Sequence, residues 1–324
     1  MRRQGGAEIA LTAESLGTPR ERGEYYLSLA TAGDVASLSL SPIYSSLEDG
    51  TKIALFVMDD ALKLGTPGDW FHPTLTAEQA GRLARAFNML LPTPRIADLT
   101  WASGSQAAPV LGLQGPGMAS VATMLKASNL RRERSPGPGL KGQAGKYWVN
   151  TPQLWRKKDG KIVGLNRGAN YGFYTHPEAP PVPRGQPGPK PAANAFAGTL
   201  WQQVGLAHSF DEFTDYSQTF RALSRFALLH RPGGLGEVVD VAEIALDPDL
   251  FELVSAAPVR MHHPGQAPPE PCATQFVDGA CLPTLPPEPK GGAEAKKKTD
   301  RSASPWPCWP PSGWPRWRAA KRYD

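Results

Sequence analysis

The chain has 324 residues, enough for one large domain or two of ordinary size. Its formal net charge is +5. Residues 264–324 hold nine Lys and Arg against six Asp and Glu, so the rest of the chain is too weakly basic to predict a nucleic-acid partner. No stretch predicts a transmembrane segment or a signal peptide. We therefore predict a cytoplasmic protein, or a periplasmic one if the N-terminus is truncated.

The first part of the chain predicts a flexible N-terminus followed by strands. Residues 1–23 are assigned to the flexible segment. Apolar alternation from Glu24 to Tyr44, on both sides of a turn at residues 32–34, predicts two short strands. Lys52 to Met58 is a nearly continuous apolar run that ends at two aspartates, which is typical of a buried strand.

Three helices are predicted next. Thr76 is a candidate N-cap, and Gln79 completes a capping box for a helix that reaches Leu91. Thr93 followed by proline predicts a second, short helix over Arg95–Ala102. The third helix is predicted at Met118–Arg134. Its basic end suits the negative end of a helix dipole, so we interpret its arginines in that way in preference to phosphate binding.

The second part of the chain mixes strands with a proline-rich loop. Val, Trp, Tyr and Ile predict strands within Gly145–Trp155 and Lys161–Tyr174. Seven prolines between Pro177 and Pro191 predict an exposed loop, interpreted as an insertion within one domain. From Leu200 to His230 the pattern fits either a helix or a hairpin. Further helices are predicted at Leu235–Leu246 and Asp249–Val254.

The C-terminal 61 residues differ in composition from the rest of the chain. Residues 264–324 contain 13 prolines and four tryptophans and show no apolar periodicity, which predicts a disordered or non-native tail. All three cysteines lie there, and an odd number in a proline-rich segment does not predict a disulfide framework. Residues 24–263 are predicted to form a single α+β domain, with a mixed, mostly antiparallel sheet flanked by helices.

The most polar segment runs from His208 to Arg221, where eleven of fourteen side chains can donate, accept or carry a proton. His208 is the candidate general base, because imidazole titrates near neutral pH. Ser217 is the candidate nucleophile, which needs such a base to react, and an activated water is the alternative nucleophile. Asp211 or Asp215 is the candidate partner that orients the imidazole.

Two residues of the same segment are candidate substrate contacts. Tyr216 and Arg221 carry a hydroxyl and a guanidinium that can hold a carbonyl or a carboxylate. A helix after Thr214 would place Ser217 and Arg221 on one face. The alternative interpretation is structural, namely a capped turn in which Asp215 caps a helix and pairs with Arg221.

A second polar set lies in the predicted strands upstream. Lys146 stands among aromatic residues, where a lysine loses its proton more easily or binds an anion. Its alternative interpretation is a solvated lysine at a strand edge. Asn170 and Tyr171 are further candidate substrate contacts. His72 is a candidate whose alternative is a half-buried loop histidine.

Three aspartates are the candidate metal ligands. Asp59, Asp60 and Asp69 can supply oxygen ligands for Ca²⁺, but they lack the spacing of a regular calcium loop. No group of His and Cys has zinc spacing. We therefore assign no metal ligands, and the cofactor stays unknown.

Several segments, taken together, resemble a group of uncharacterised, often exported bacterial proteins. They read F-V-M-D-D-A-L-K-L-G, L-P-T-P-R-I-A-D, G-K-Y-W-V-N, N-Y-G-F-Y and H-S-F-D-E-F-T-D-Y-S-Q-T-F-R. The resemblance covers Glu24 to Val254, and the chain departs from the group at Tyr174, where a histidine would follow Y-G-F. The positions that match the pattern of the group are Lys146, Asn170, Tyr171, Gly172, His208, Asp215, Tyr216, Ser217 and Arg221. The resemblance implies a shared site and names no reaction.

Three functions compete. The chain lacks the common catalytic signatures, so its site must be assembled in space. The leading hypothesis is a hydrolase that cleaves an ester, lactone or amide in a small molecule, such as an N-acyl homoserine lactone used in quorum sensing. The first alternative is a cell-envelope factor that binds or trims peptidoglycan, which the resemblance to exported proteins favours. The second is a non-catalytic protein that binds a small ligand.

Overall fold

The apolar run from Lys52 to Met58 is the strand around which the largest sheet forms. The computed structural model describes residues 3–104, 117–134, 137–142, 145–158, 161–164, 168–174, 199–203 and 214–261. These residues belong to one compact unit that spans residues 1–283. The predicted tail at 264–324 and the proline-rich stretch at 177–191 both lie outside the described residues.

The described elements are helices and mostly antiparallel strands, which confirms the predicted α+β class. The helices are α1 (Gly6–Glu14), α2 (Pro19–Thr31), α3 (Ala77–Ala86), α4 (Pro94–Ser103), α5 (Val121–Arg134) and α6 (Val241–Ile244). The strands are β1 (Val35–Ser37), β2 (Leu40–Ser46), β3 (Lys52–Met58), β4 (Lys63–Gly65), β5 (Trp70–Phe71), β6 (Met89–Leu90), β7 (Lys146–Trp148), β8 (Trp155–Lys158), β9 (Lys161–Gly164), β10 (Asn170–Tyr174), β11 (Thr199–Gln203), β12 (Gln218–Thr219), β13 (Leu223–Ser224), β14 (Phe226–His230) and β15 (Glu237–Asp240).

Two sheets carry most of the described strands. The larger has the order β15-β14-β3-β13-β6, with β2 also paired to β3. The second has the order β11-β10-β7-β12, in which β7 and β12 run parallel. Ile53, Leu55 and Val57 alternate along β3 and bury into one apolar core. Met58, at the end of the same strand, joins a second core with the first helices.

The N-terminal prediction of a flexible segment is wrong for the described residues. Helix α1 lies within residues 1–23 and buries Ile9, Ala10 and Ala13 completely or nearly so. Helix α2 begins after Thr18, whose side chain forms a capping box with Glu21, and it replaces the strand expected around residues 24–30. The cap, together with the burial of Tyr26 and Ala30 four residues apart on one helical face, stabilises the helix. These contributions outweigh the strand-like alternation of apolar residues.

The three central helix predictions are confirmed with small shifts. Thr76 and Gln79 form the predicted capping box of α3, and Thr93 caps α4 by accepting from Ile96 N. Helix α3 ends at Ala86, because Asn88 adopts a φ of 52° and the chain turns into β6.

The segment after His208 forms strands where the structure describes it. Residues 214–217 form a turn, β12 and β13 follow, and β14 pairs with β15 as a hairpin. The predicted helix at Leu235–Leu246 is therefore wrong over Glu237–Asp240, and only the four residues of α6 are helical. The second predicted helix is a short 3₁₀ turn at Phe251–Leu253.

Candidate functional site

The candidate site lies where β7 is paired on both sides, and glycines allow the strands to meet there. Lys146 is in register with Gly172 of β10 and with Gln218 of β12. A Cβ on Gly145 would lie 2.4 Å from Ser217 O, and one on Gly172 would lie 2.7 Å from Gly145 O. Gly172 also has a φ of 137°, which disfavours any other residue. Lys146 N donates to Ser217 O at 2.7 Å and so fixes the two segments together.

Lys146, Asp215 and Ser217 form a contiguous buried cluster. Ser217 N donates to Asp215 Oδ1 at 2.7 Å, and the Ser217 hydroxyl donates to the same oxygen. The other oxygen, Asp215 Oδ2, lies 3.6 Å from Lys146 Nζ. The three residues are 5%, 5% and 1% exposed, so the ion pair and the hydroxyl are shielded from solvent. The structure thus brings together three of the four residues predicted to be catalytic.

Burial changes the protonation chemistry of Lys146. Desolvation lowers the pKa of its ammonium group, and the negative charge of Asp215 opposes that shift without cancelling it. The neutral amine is therefore easier to form than on an exposed lysine. The alternative interpretation of Lys146 as a solvated edge residue is wrong.

Arg221 fixes the end of β3. Its Nε donates to Met58 O at 2.8 Å and its Nη2 donates to Asp59 O at 2.9 Å. Its Nη1 lies 3.1 Å from the hydroxyl of Tyr147, whose ring the guanidinium also covers. The predicted helical face shared by Ser217 and Arg221 is absent from the described residues, because the chain forms β12 between them.

The two candidate tyrosines occupy different surroundings. Tyr216 packs in the core formed by the first helices, and its backbone N donates to Met118 O at 3.0 Å. Tyr171 lies on the other face of the sheet, where its hydroxyl donates to Asp98 Oδ1 at 2.7 Å. Because side chains alternate along a strand, Tyr171 does not share a face with Lys146.

Asn170 lies on the same face of the sheet as Lys146, and its amide group is unusual. The residue is fully buried, yet neither Oδ1 nor Nδ2 has a hydrogen-bond partner within the described part of the chain. Gln218 Nε2 is also buried without a partner there, while Gln218 Oε1 accepts from Asp215 N at 3.0 Å. Unpaired buried polar groups of this kind are rare in native proteins and call for an explanation.

Arg131 lies close to the candidate site, a position that was not predicted from the sequence. From the sequence, Arg131 was interpreted only as a charge that suits the dipole of helix α5. It is buried, and its Nη2 lies 3.5 Å from Tyr216 O. Desolvation lowers its pKa to about 10, against the opposing charge of Asp60 first and of Asp215 more weakly. The sequence carried a signal for it, because Arg131 continues the helical spacing of the buried residues Val121, Met124 and Ser128.

Two of the three candidate calcium ligands have other partners. Asp60 Oδ2 pairs with Lys63 Nζ at 2.7 Å, and Asp69 accepts from Ala7 N at the start of α1 at 3.3 Å. The described residues contain no group of three His, Cys, Asp or Glu side chains suited to a metal ion, so the proposed calcium site is not formed there.

His72 is buried in a structural position. Its Nδ1–H donates to Leu62 O at 2.9 Å, and its ring packs edge-on against Trp70. Desolvation lowers its pKa to about 3, in spite of the nearby charge of Asp60. The histidine is therefore neutral, and more deeply buried than the half-buried loop histidine considered from the sequence.

His208, the predicted general base, lies outside the described residues. Comparison of the chain with protein-family models, with curated proteins and with solved structures gave no match. Within the described ranges, no helix has the length and apolar character needed to cross a membrane.

Proposed function

We propose that this protein is a hydrolase that cleaves an ester or lactone in a small-molecule substrate, with Ser217 as its nucleophile. The observation that supports the proposal best is the buried hydrogen bond from the Ser217 hydroxyl to Asp215, whose carboxylate also pairs with Lys146. A serine hydroxyl becomes reactive when a neighbouring group orients it and accepts its proton.

The proposed reaction has two halves. Ser217 Oγ attacks the substrate carbonyl while its proton moves to His208, and the oxyanion of the tetrahedral intermediate is stabilised by Lys146. Collapse expels the alcohol, which takes the proton from His208, and leaves an acyl-serine. Water then attacks the acyl-serine in the same way, which releases the acid and restores the hydroxyl. Asp215 holds the Ser217 hydroxyl in position, because it contacts the serine directly.

An N-acyl homoserine lactone is the proposed specific substrate. The cluster joins a cationic group, Lys146, to the aromatic side chain of Trp148, which lies two residues along β7 on the same face of the sheet. Cationic donors suit the carbonyl oxygens of such a molecule, and aromatic walls suit its acyl chain.

The test is turnover of a panel of acyl esters and lactones, including N-acyl homoserine lactones, followed by mass spectrometry of the acid released. Ser217→Ala and His208→Ala should each lower kcat at least about 100-fold, since each removes a group needed for proton transfer. Ser224→Ala, on β13 of the other sheet, is the matched control and should keep full activity. Activity that survives Ser217→Ala but disappears with chelator would replace the serine mechanism with a metal-activated water.

A non-catalytic ligand-binding protein is the second candidate, and one observation favours it. Ser217 is 1% exposed, and both its hydroxyl and its backbone N–H donate to Asp215, the second bond being that of a structural Asx turn. Saturable binding of a panel member without any product would support this candidate. The same result would overturn the hydrolase.

A further inference from the structure

One face of the β10-β7-β12 sheet holds three buried amide atoms that have no hydrogen-bond partner among the described residues. Asn170 is in register with Trp148, and Gln218 is in register with Lys146. Because paired residues of a sheet point to the same side and residues two apart share a face, all four side chains belong to one face. The buried core agrees, since Trp148 belongs to the same apolar cluster as Phe220, which lies two residues after Gln218.

The three atoms have a definite hydrogen-bonding character. Asn170 offers one donor, Nδ2, and one acceptor, Oδ1, side by side, and Gln218 offers a second donor, Nε2. A secondary amide has the complementary pair, a carbonyl oxygen and an N–H. A second carbonyl next to that amide would suit the donor of Gln218.

We propose that Asn170 recognises the secondary amide of an N-acyl α-amino carbonyl compound, whose second carbonyl lies toward Lys146 and Gln218. This inference rests on the proposed function for its reaction, because the second carbonyl would then be the one that Ser217 attacks. Diagonal neighbours across paired strands lie about 7–8 Å apart, which places Asn170 within one small ligand's length of Lys146. The same chemistry occurs in an N-acylated lactone and in a short peptide.

A comparison within the chain supports a ligand role for Asn170. Asn150 is also a buried asparagine, at 4% exposed, but its Nδ2 donates to Leu91 O at 2.9 Å and to Met261 O at 3.3 Å. Asn150 therefore joins separate segments of the fold. Asn170 makes no such bond within the described residues, so a structural role does not account for its amide.

The experiment measures binding to the intact 324-residue chain by calorimetry, with lactams that carry no ester or lactone bond. The probe is an N-hexanoyl α-amino-γ-lactam, and its matched control is the ketone analogue, 3-(2-oxoheptyl)-γ-lactam, which differs only in replacing N–H by a methylene and so carries no ester. The wild-type protein should bind the first at least about tenfold more tightly, because the second leaves Asn170 Oδ1 unpaired. Asn170→Leu, with folding checked by circular dichroism, should remove that preference. N-acetylalanine methylamide as a third ligand distinguishes a peptide from a lactone.

Equal binding of the two lactams, no binding of either, or a preference that persists in Asn170→Leu would overturn the inference. The comparison of the lactams in the wild-type protein depends on no variant. If the preference is found but no lactone is opened, the hydrolase proposal fails while amide recognition by Asn170 stands.

Discussion

Asp215 Oδ2 lies 3.6 Å from Lys146 Nζ, and both side chains are almost completely buried. The pair joins the start of β7 to the turn before β12, two segments about 70 residues apart in the chain. A buried carboxylate that loses its cation pays the full cost of desolvation.

Lys146→Met should therefore destabilise the fold strongly, by about 3–5 kcal/mol in the free energy of unfolding. The double variant Lys146→Met with Asp215→Leu should recover part of that loss, because no charge is then left unpaired. Urea denaturation of the wild type, both single variants and the double variant measures the coupling. Strictly additive losses would show that the two side chains do not interact.

Substitution by leucine should change the stability of the fold differently at the two buried asparagines, Asn150 and Asn170. Asn150→Leu removes two hydrogen bonds and leaves the carbonyls of Leu91 and Met261 unpaired, so we expect a loss of about 1–3 kcal/mol. Asn170→Leu removes buried amide atoms that have no partner in the described residues, so stability should be unchanged or higher. Thermal denaturation of the two variants side by side tests the contrast. A large loss in Asn170→Leu would assign that residue a structural role.

His72 should make the protein sensitive to acid. Its pKa is about 3 in the folded state against 6.5 in its ordinary state, so between these values the unfolded chain binds a proton that the folded chain does not. Stability should accordingly fall as the pH falls from about 6.5 toward 3, by at most about 4–5 kcal/mol from this group. The lowered pKa of Asp60 adds a loss in the same direction at lower pH.

The variant His72→Asn keeps an N–H donor for Leu62 O but removes the titration. Its stability should fall less between pH 6.5 and pH 4 than that of the wild type, as measured by urea denaturation at each pH. His230→Gln, at the end of β14, is the control and should follow the wild type. Identical pH profiles for His72→Asn and the wild type would contradict this prediction.

Helix α1 should contribute to stability through one face only. Ile9→Ala removes a completely buried side chain and should cost about 2–4 kcal/mol. Leu11→Ala, on the same helix, alters a residue that is 68% exposed and should change stability by less than about 0.5 kcal/mol. Equal effects of the two variants would show that α1 does not pack against the core.

Local chemistry explains which elements could be predicted from the sequence. Helices α3 and α4 carry their own start signals in Thr76, Gln79 and Thr93, and β3 is apolar along its length. Helix α2 was predicted as a strand, because its aromatic and apolar residues alternate with the period of a strand. The capping box of Thr18 and Glu21 is the local signal that marks it as a helix. Residues Glu237–Asp240 form a strand and not a helix because they pair with β14. That pairing depends on residues outside the segment, so the sequence of the segment alone does not reveal it.

The candidate site was likewise predictable from the sequence only in part. The sequence by itself determined that Lys146, Asp215 and Ser217 are chemically suited to act together, because residue type fixes what a side chain can donate, accept or ionise. Only the tertiary structure decided that they touch, that Tyr171 faces away from them and that Arg221 supports β3. The physical reason is that parallel pairing of β7 with β12, made close by Gly145, sets distances and burial that depend on residues far apart in the chain.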